Sequence, residues 1–232
     1  MQLFYCPGID KGDDFLDREE SRHCVKVLRK KTGDLIHITD GKGVFYQAQL
    51  TELNPRKCLF KVLSSESSKK NNYNIHIAIA PTKHSDRIEW FVEKAVEIGV
   101  DKISFIQTSY SERKTINLDR IRKKAVSAMK QSVRSFLPEL ESMEKLSFFL
   151  NSEMGSHKYI AHLEGETTES LEHLANPGNC YLILVGPEGG FSDEEISMVK
   201  NKQFKVVKIG DHRLRTETAG IVACTILNNI NH

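Results

Sequence analysis

The chain has 232 residues, 39% of them apolar and 28% charged, with a formal net charge of +2. This length suits one large domain or two small ones. The composition is that of an ordinary soluble globular protein, and the whole chain is not a polycation. No run of 18 apolar residues occurs, so no membrane span is predicted. The opening segment, MQLFYCPGID, lacks a basic stretch before an apolar core, so no secretion signal is read and a cytoplasmic location is expected.

The N-terminal part shows helical periodicity around Glu19–Leu28, then strand-like runs at Leu35–Thr39, Val44–Leu50 and Cys58–Leu63. Asp40-Gly41-Lys42-Gly43 between the first two runs is a hairpin signal. Short, closely spaced strands predict a small β-barrel. Its Arg18, Arg22, Lys26, Arg29, Lys30 and Lys31 either meet RNA phosphates or are ordinary surface charge. The polar stretch Ser64–Asn74 (SSESSKKNNYN) reads as a linker.

Beyond it, strands alternate with helices. Strands are predicted at Ile75–Ala80, Lys102–Ile106, Tyr159–Leu163, Tyr181–Val185 and Phe204–Ile209. Ile88, Phe91, Val92, Ala95 and Val96 mark an amphipathic helix that Gly99 stops. Further helices are predicted over Asn117–Val133 and Ala219–Ile230, and Ser192 with Glu195 forms a capping box that opens another. Repeated β-α units predict a parallel sheet with helices on both faces.

Five cysteines (Cys6, Cys24, Cys58, Cys180, Cys224) are scattered and never form a CxxC pair. They are read as reduced, buried thiols, with neither a disulfide framework nor a zinc site. Between Ser111 and Arg134, eight Lys/Arg face two acids. That is either a phosphate-binding face or a solvated helix surface.

Two loops follow the last two strands. Gly186-Pro187-Glu188-Gly189-Gly190-Phe191 comes directly after YLILV, and Gly210-Asp211-His212-Arg213 runs into Leu214-Arg215-Thr216-Glu217-Thr218-Ala219. Ligands of open parallel sheets bind outside the carboxyl ends of the strands, and glycine lets backbone approach them closely. The first loop suits a flat heterocycle held by backbone groups. It is neither GxxxxGK[ST] nor GxGxxG, which excludes nucleotide hydrolysis and dinucleotide binding. Taken alone, the first loop is also readable as a tight turn, and the second as a helix start capped by Thr216 or Thr218.

The pair GPEGGFSDEEI and LRTETA resembles the knotted α/β RNA methyltransferase superfamily called SPOUT, and in detail the ribosomal RNA small-subunit methyltransferase E family. Asp86-Arg87-Ile88-Glu89, Glu93-Lys94, Glu97-Ile98-Gly99-Val100, Ser111-Glu112-Arg113, Gln131-Ser132 and Pro138-Glu139 extend the resemblance along the chain. It implies a PUA-like RNA-binding barrel (residues 1–68) and a methyltransferase domain with a trefoil knot (residues 73–232). It also implies a homodimer. The implied activity is methyl transfer from S-adenosyl-L-methionine to N3 of a uridine in 16S ribosomal RNA of the small subunit, without a metal. The rivals are another RNA target (transfer RNA or a ribose hydroxyl) and a non-catalytic ribosome-assembly protein. Departures from the family pattern are Lys130 where an acid is common, Val133 where glycine is common, and His84-Ser85 for Lys-Gly.

On this reading the cofactor contacts are Leu163, Gly186, Glu188, Gly189, Gly190, Ile209, Gly210, Leu214, Thr216 and Ala219. Glu217, or less readily Glu188, is the base that removes the N3 proton; Glu217 otherwise complements the helix dipole. Arg215 stabilises charge on the uracil carbonyls or clamps a phosphate. Lys83, Arg87, Arg113 and Lys114 lead the RNA contacts, with Arg22 and Arg29 behind them; Arg87 otherwise pairs with Glu89 or Glu93.

Overall fold

The computed structural model describes residues 2–152, 157–163 and 169–232. Contacts divide them into two units: residues up to 70 with 126–137, and residues 71–125 with 138–232.

The first unit holds β1 (Leu3–Tyr5), α1 (Arg18–Arg22), β2 (Leu35–Thr39), β3 (Val44–Glu52) and β4 (Leu59–Ser67). Its sheet runs β1-β2-β3-β4, with β1 parallel to β2 and the other pairs antiparallel. Phe4, Leu16, Cys24, Ile36, Ile38, Ala48, Leu50 and Phe60 form its core. Two expectations change here. The predicted linker begins too early, because Ser64–Ser67 pair with β3 as part of an exposed edge strand. An edge strand draws its stability from ladder hydrogen bonds and needs few apolar side chains. The predicted 19–28 helix is only one α-turn, capped by Asp17, whose Oδ1 accepts from Glu20 N–H at 2.8 Å. A single π-turn over His23–Val27 follows it, and Val27 is 64% exposed, so its periodicity with His23 reflects no packing.

The second unit is built on β5 (Asn74–Ile79), α2 (Ser85–Ile98), β6 (Lys102–Gln107), α3 (Leu118–Gln131, whose last residues belong to the first unit), β7 (Glu139–Leu140), β8 (Glu144–Lys145) and α4 (Leu146–Ser152). It continues with β9 (His157–Ala161), α5 (Leu171–Leu174), β10 (Cys180–Val185), α6 (Asp193–Asn201), β11 (Lys205–Val207) and α7 (Thr216–Asn229). The strand order is β11-β9-β10-β5-β6-β7, all pairs parallel, as predicted. Burial on both faces explains the apolar run Tyr181–Val185 of β10 and the mostly apolar β5 and β6, whose buried His76 and Ser104 bond each other at 2.7 Å. Ala78, Ala80, Leu182 and Leu184 pack with Phe149 of α4 and Val199 of α6. On α7, Gly220 lies so close to Phe91 of α2 and Ile79 of β5 that an added Cβ would stand 2.5 Å from the Phe91 ring. Four cysteines are buried, but Cys180 is exposed at the start of β10, against expectation.

The family departures on α3 have a physical setting. Lys130 Nζ sits 2.5 Å from Oε1 of the buried Glu20. Burial pushes the Glu20 carboxyl up, and the Lys130 charge opposes that shift. Val133 has φ 54° and ends α3 in a Schellman pattern: Arg134 N–H donates to the Met129 carbonyl and Val133 N–H to that of Lys130. A β-branched residue is strained in this left-handed conformation. Val133→Gly is therefore expected to raise the unfolding free energy by about 1 kcal/mol, the relief of strain exceeding the entropy cost of glycine. Urea denaturation checks this, and lower stability in the variant would mean that the half-exposed valine side chain contributes more by packing than its backbone costs.

Candidate active site

The two glycine loops do share a space. Together with the end of β9 they enclose a cavity of about 470 Å³ at the carboxyl rim of the sheet, within the usual range of small-molecule sites. Leu163, Gly186, Glu188, Gly189, Gly190, Ile209, Gly210, Leu214, Arg215, Thr216 and Ala219 all line it. The parent strands β10 and β11 are not neighbours in the sheet. β9 lies between them, which brings Ala161, His162 and Leu163 to the cavity floor.

Local bonds fix the walls. Gly190 has φ 74°, a left-handed conformation that closes the turn, and its N–H donates to the Pro187 carbonyl at 2.9 Å. Thr216 is not the helix cap: α7 begins there, and Arg215, extended at φ −68° and ψ 152°, is the N-cap without a side-chain capping bond. The Thr216 hydroxyl instead donates to the Gly186 carbonyl at 3.0 Å, joining the loops. Arg213 Nη2 donates to the Glu188 carbonyl at 2.5 Å and spans them a second time. Glu195 completes the predicted capping box: Ser192 N–H donates to its Oε2, and Ser109 N–H reaches its Oε1 at 2.8 Å. Lys208, 2.9 Å from Asp211, holds that carboxyl below the usual carboxylate range, chiefly through the hydrogen bond.

Glu217 does not line the cavity. It is 5% exposed in the first turn of α7, with Oε1 3.9 Å from Arg87 Nε and Oε2 buried without a hydrogen-bond partner. Arg87 thus approaches Glu217, and not Glu89 or Glu93. Glu89 takes Arg120 at 2.6 Å, and Glu93 takes Lys94 at 3.0 Å. Arg113 is engaged inside the protein, donating from Nε to the Thr82 carbonyl and from Nη2 to the Lys83 carbonyl. Lys83 pairs with Glu112 at 2.9 Å, a hydrogen bond that raises the pKa of the ammonium. Lys114 is exposed, as are Arg22 and Arg29 of the first unit.

Sequence reasoning missed His162, Phe191, Lys208, His212 and Arg213 as cavity residues. Phe191, His212 and Arg213 lie inside the two quoted loops and Lys208 just before the second, whereas His162, just past the end of β9, carried no signal of its own. Among the described residues no group of three or more His, Cys, Asp or Glu is placed to hold a metal, and no helix is long and apolar enough to cross a membrane.

Comparison with known proteins accords with this geometry. A sequence model of the RNA methyltransferase domain matches residues 69–228, and one of the RNA methyltransferase PUA domain matches residues 16–63. The ribosomal RNA small subunit methyltransferase E of Buchnera aphidicola (subsp. Acyrthosiphon pisum) is 27% identical over 240 residues, covering 99% of this chain and 93% of that protein. A solved "probable rRNA-methyltransferase" from Porphyromonas gingivalis is 37% identical and superimposes with a TM-score of 0.93, covering 100% of this chain and 98% of that one. Ribosomal RNA small subunit methyltransferase E from Neisseria gonorrhoeae, solved bound to S-adenosyl methionine, is 25% identical with a TM-score of 0.88, at the same coverage. The chain belongs to the RNA methyltransferase family of the ribosomal RNA small-subunit methyltransferase E proteins.

Proposed function

We propose that the chain transfers a methyl group from S-adenosyl-L-methionine to N3 of a uridine in 16S ribosomal RNA of the small subunit. The carrying observation is the single cavity walled by both glycine loops. Its wall at Gly210 is bare. That glycine has no left-handed φ, and a Cβ built on it would meet only Leu214 Cδ1, at 4.0 Å. Neither backbone conformation nor packing therefore explains the missing side chain, whereas a ligand lying against the backbone does. The donor set fits the cofactor: Leu163, Ile209, Leu214 and Ala219 offer apolar surface for a purine, and the loop backbones offer N–H and C=O groups to polar edges.

When bound there, the cofactor supplies an activated methyl on a sulfonium, and no metal is required by that chemistry. The protein's own share is orientation, charge and proton removal. Arg215, exposed on the cavity wall, places a permanent cation where a uracil that loses its N3 proton gathers charge on its carbonyl oxygens. Glu217, with one buried carboxylate oxygen free of hydrogen bonds, is the proposed proton acceptor. The N3 edge is reached by extruding the nucleotide from its stack. Lys114 serves as a phosphate contact from the methyltransferase domain, residues 73–232, and Arg22 and Arg29 from the PUA-like domain, residues 1–68. The C-terminal segment is threaded as a trefoil knot, and the enzyme works in the cytoplasm as a homodimer. Ile221, Val222 and Ile226, a half-exposed apolar stripe on α7, support the dimer.

Replacing Gly210 by Val fills the cavity without straining the fold. The variant is expected to keep the wild-type melting temperature and to lose S-adenosylmethionine binding by at least about 100-fold, the cost of a few kcal/mol of overpacking against a ligand. Calorimetry measures the binding. Transfer of labelled methyl to purified small subunits, compared with transfer RNA, then decides the target, and sedimentation of the same sample at the mass of one chain would remove the dimer. A wild-type protein that binds no S-adenosylmethionine would end the enzyme reading.

A further inference from the structure

Tyr110 lies outside the cavity lining but against its wall. A Cβ built on Gly189 would stand 2.9 Å from Tyr110 Cβ and 3.3 Å from Cγ, so the glycine at 189 is what lets the tyrosine approach. Yet 54% of Tyr110 remains exposed. Isolated exposed apolar residues are common, but the support beneath this one is not that of a free loop. Ser111 N–H donates to the Thr108 carbonyl at 3.1 Å, and Thr108 N–H returns to Ser111 Oγ at 3.0 Å. Ser109 N–H is held by Glu195, and Arg113 grips the Thr82 and Lys83 carbonyls just beyond. The turn is thus fastened internally, to the start of α6, and to the loop after β5. Its one large apolar group still points part of its surface to solvent.

A rigid aromatic with two side-chain torsions loses little entropy when a flat partner settles on it. The exposed Lys114 follows in the same segment, and Lys83, paired with Glu112, lies in the loop that Arg113 grips. Together they match the chemistry of single-stranded RNA, whose bases stack on aromatic rings while basic side chains meet the phosphates. We infer that Tyr110 is a stacking platform for an unpaired base of the RNA beside the glycine-loop pocket, a positioning residue for the nucleotide delivered there. The inference rests on the proposed function only for what the stacking serves; the stacking itself is measurable without methyl transfer.

The test compares wild type, Tyr110→Phe and Tyr110→Ala for oligouridylate affinity and, separately, for S-adenosylmethionine affinity by calorimetry. Loss of one base–aromatic stack corresponds to about 5- to 150-fold weaker RNA binding in Tyr110→Ala. Tyr110→Phe, which keeps the ring, is expected to bind RNA like wild type, and all three proteins to bind the cofactor alike. Equal RNA affinity in all three proteins, or no measurable RNA binding by wild type, overturns the inference. So does a loss of cofactor affinity matching the loss of RNA affinity in Tyr110→Ala, because the ring would then be propping Gly189. If the RNA result holds and wild type transfers no methyl, the proposed activity fails and the stacking platform stands.

Discussion

Arg215→Ala is expected to lower kcat for methyl transfer by about 10²–10³-fold, the cost seen when one preorganised stabiliser of developing charge is removed. The fold should not suffer. Arg215 is the N-cap of α7 but makes no side-chain capping bond, and its side chain is exposed, so truncation removes neither a cap contact nor core packing. Cofactor affinity should hold as well, because the loops on either side are joined by Thr216 and Arg213 and do not depend on Arg215. What truncation does remove is a cationic guanidinium that presents its donors as a planar fork. Arg215→Lys keeps the charge and loses the fork, so it should fall between wild type and Ala. Single-turnover rates on small subunits, with RNA affinity measured alongside, read the effect. An unchanged kcat with weakened RNA binding would assign Arg215 to a phosphate and take it out of the chemical step.

The parallel sheet was legible because its central strands are buried on both sides. Odd and even residues of Tyr181–Val185 are buried on opposite faces, so that run is apolar throughout and stands out in the sequence. The cavity loops were legible through glycine, and α6 through the reciprocal Ser192–Glu195 cap. What escaped depends on long-range order. Nothing local says that β9 lies between β10 and β11, and this placement is what brings His162 to the cavity; Leu163 beside it was expected only through the family resemblance. Charge density around residues 111–134 drew attention to Arg113 as a phosphate ligand. In the folded chain two of its five N–H donors bond backbone carbonyls 30 or so residues away, a pairing no sequence window contains. Residues 126–137 join the N-terminal unit for the same reason: Phe136 pairs with Lys42, and Ser135 accepts from Gly43 N–H, contacts made only after folding. The start of α7 was set three residues late because Thr218 reads as a cap by type, whereas the helix begins at Thr216 after the N-cap Arg215, and the Thr216 hydroxyl bonds Gly186 across the cavity.

Glu217→Gln carries the second large effect. A buried carboxylate oxygen without a hydrogen bond is costly, and such atoms are rare enough in native proteins that each calls for a reason. Oε2 of Glu217 is one, in a residue 5% exposed, while Oε1 lies 3.9 Å from Arg87 Nε. A proton acceptor supplies a reason, and the role requires the first turn of α7 to open Oε2 to the pocket when RNA binds, because Glu217 is buried beside the cavity and not in its lining. Gln is nearly isosteric and cannot accept that proton, so kcat is expected to drop by about 10²–10⁴-fold, the usual worth of general-base catalysis. Affinity separates this role from a structural one. Glu217→Gln should bind RNA and S-adenosylmethionine like wild type and lose only the chemical step in single turnover. Arg87→Ala is the companion variant. If the carboxylate serves only to orient Arg87, both variants should lose kcat equally and weaken RNA binding equally, which would remove Glu217 from proton transfer.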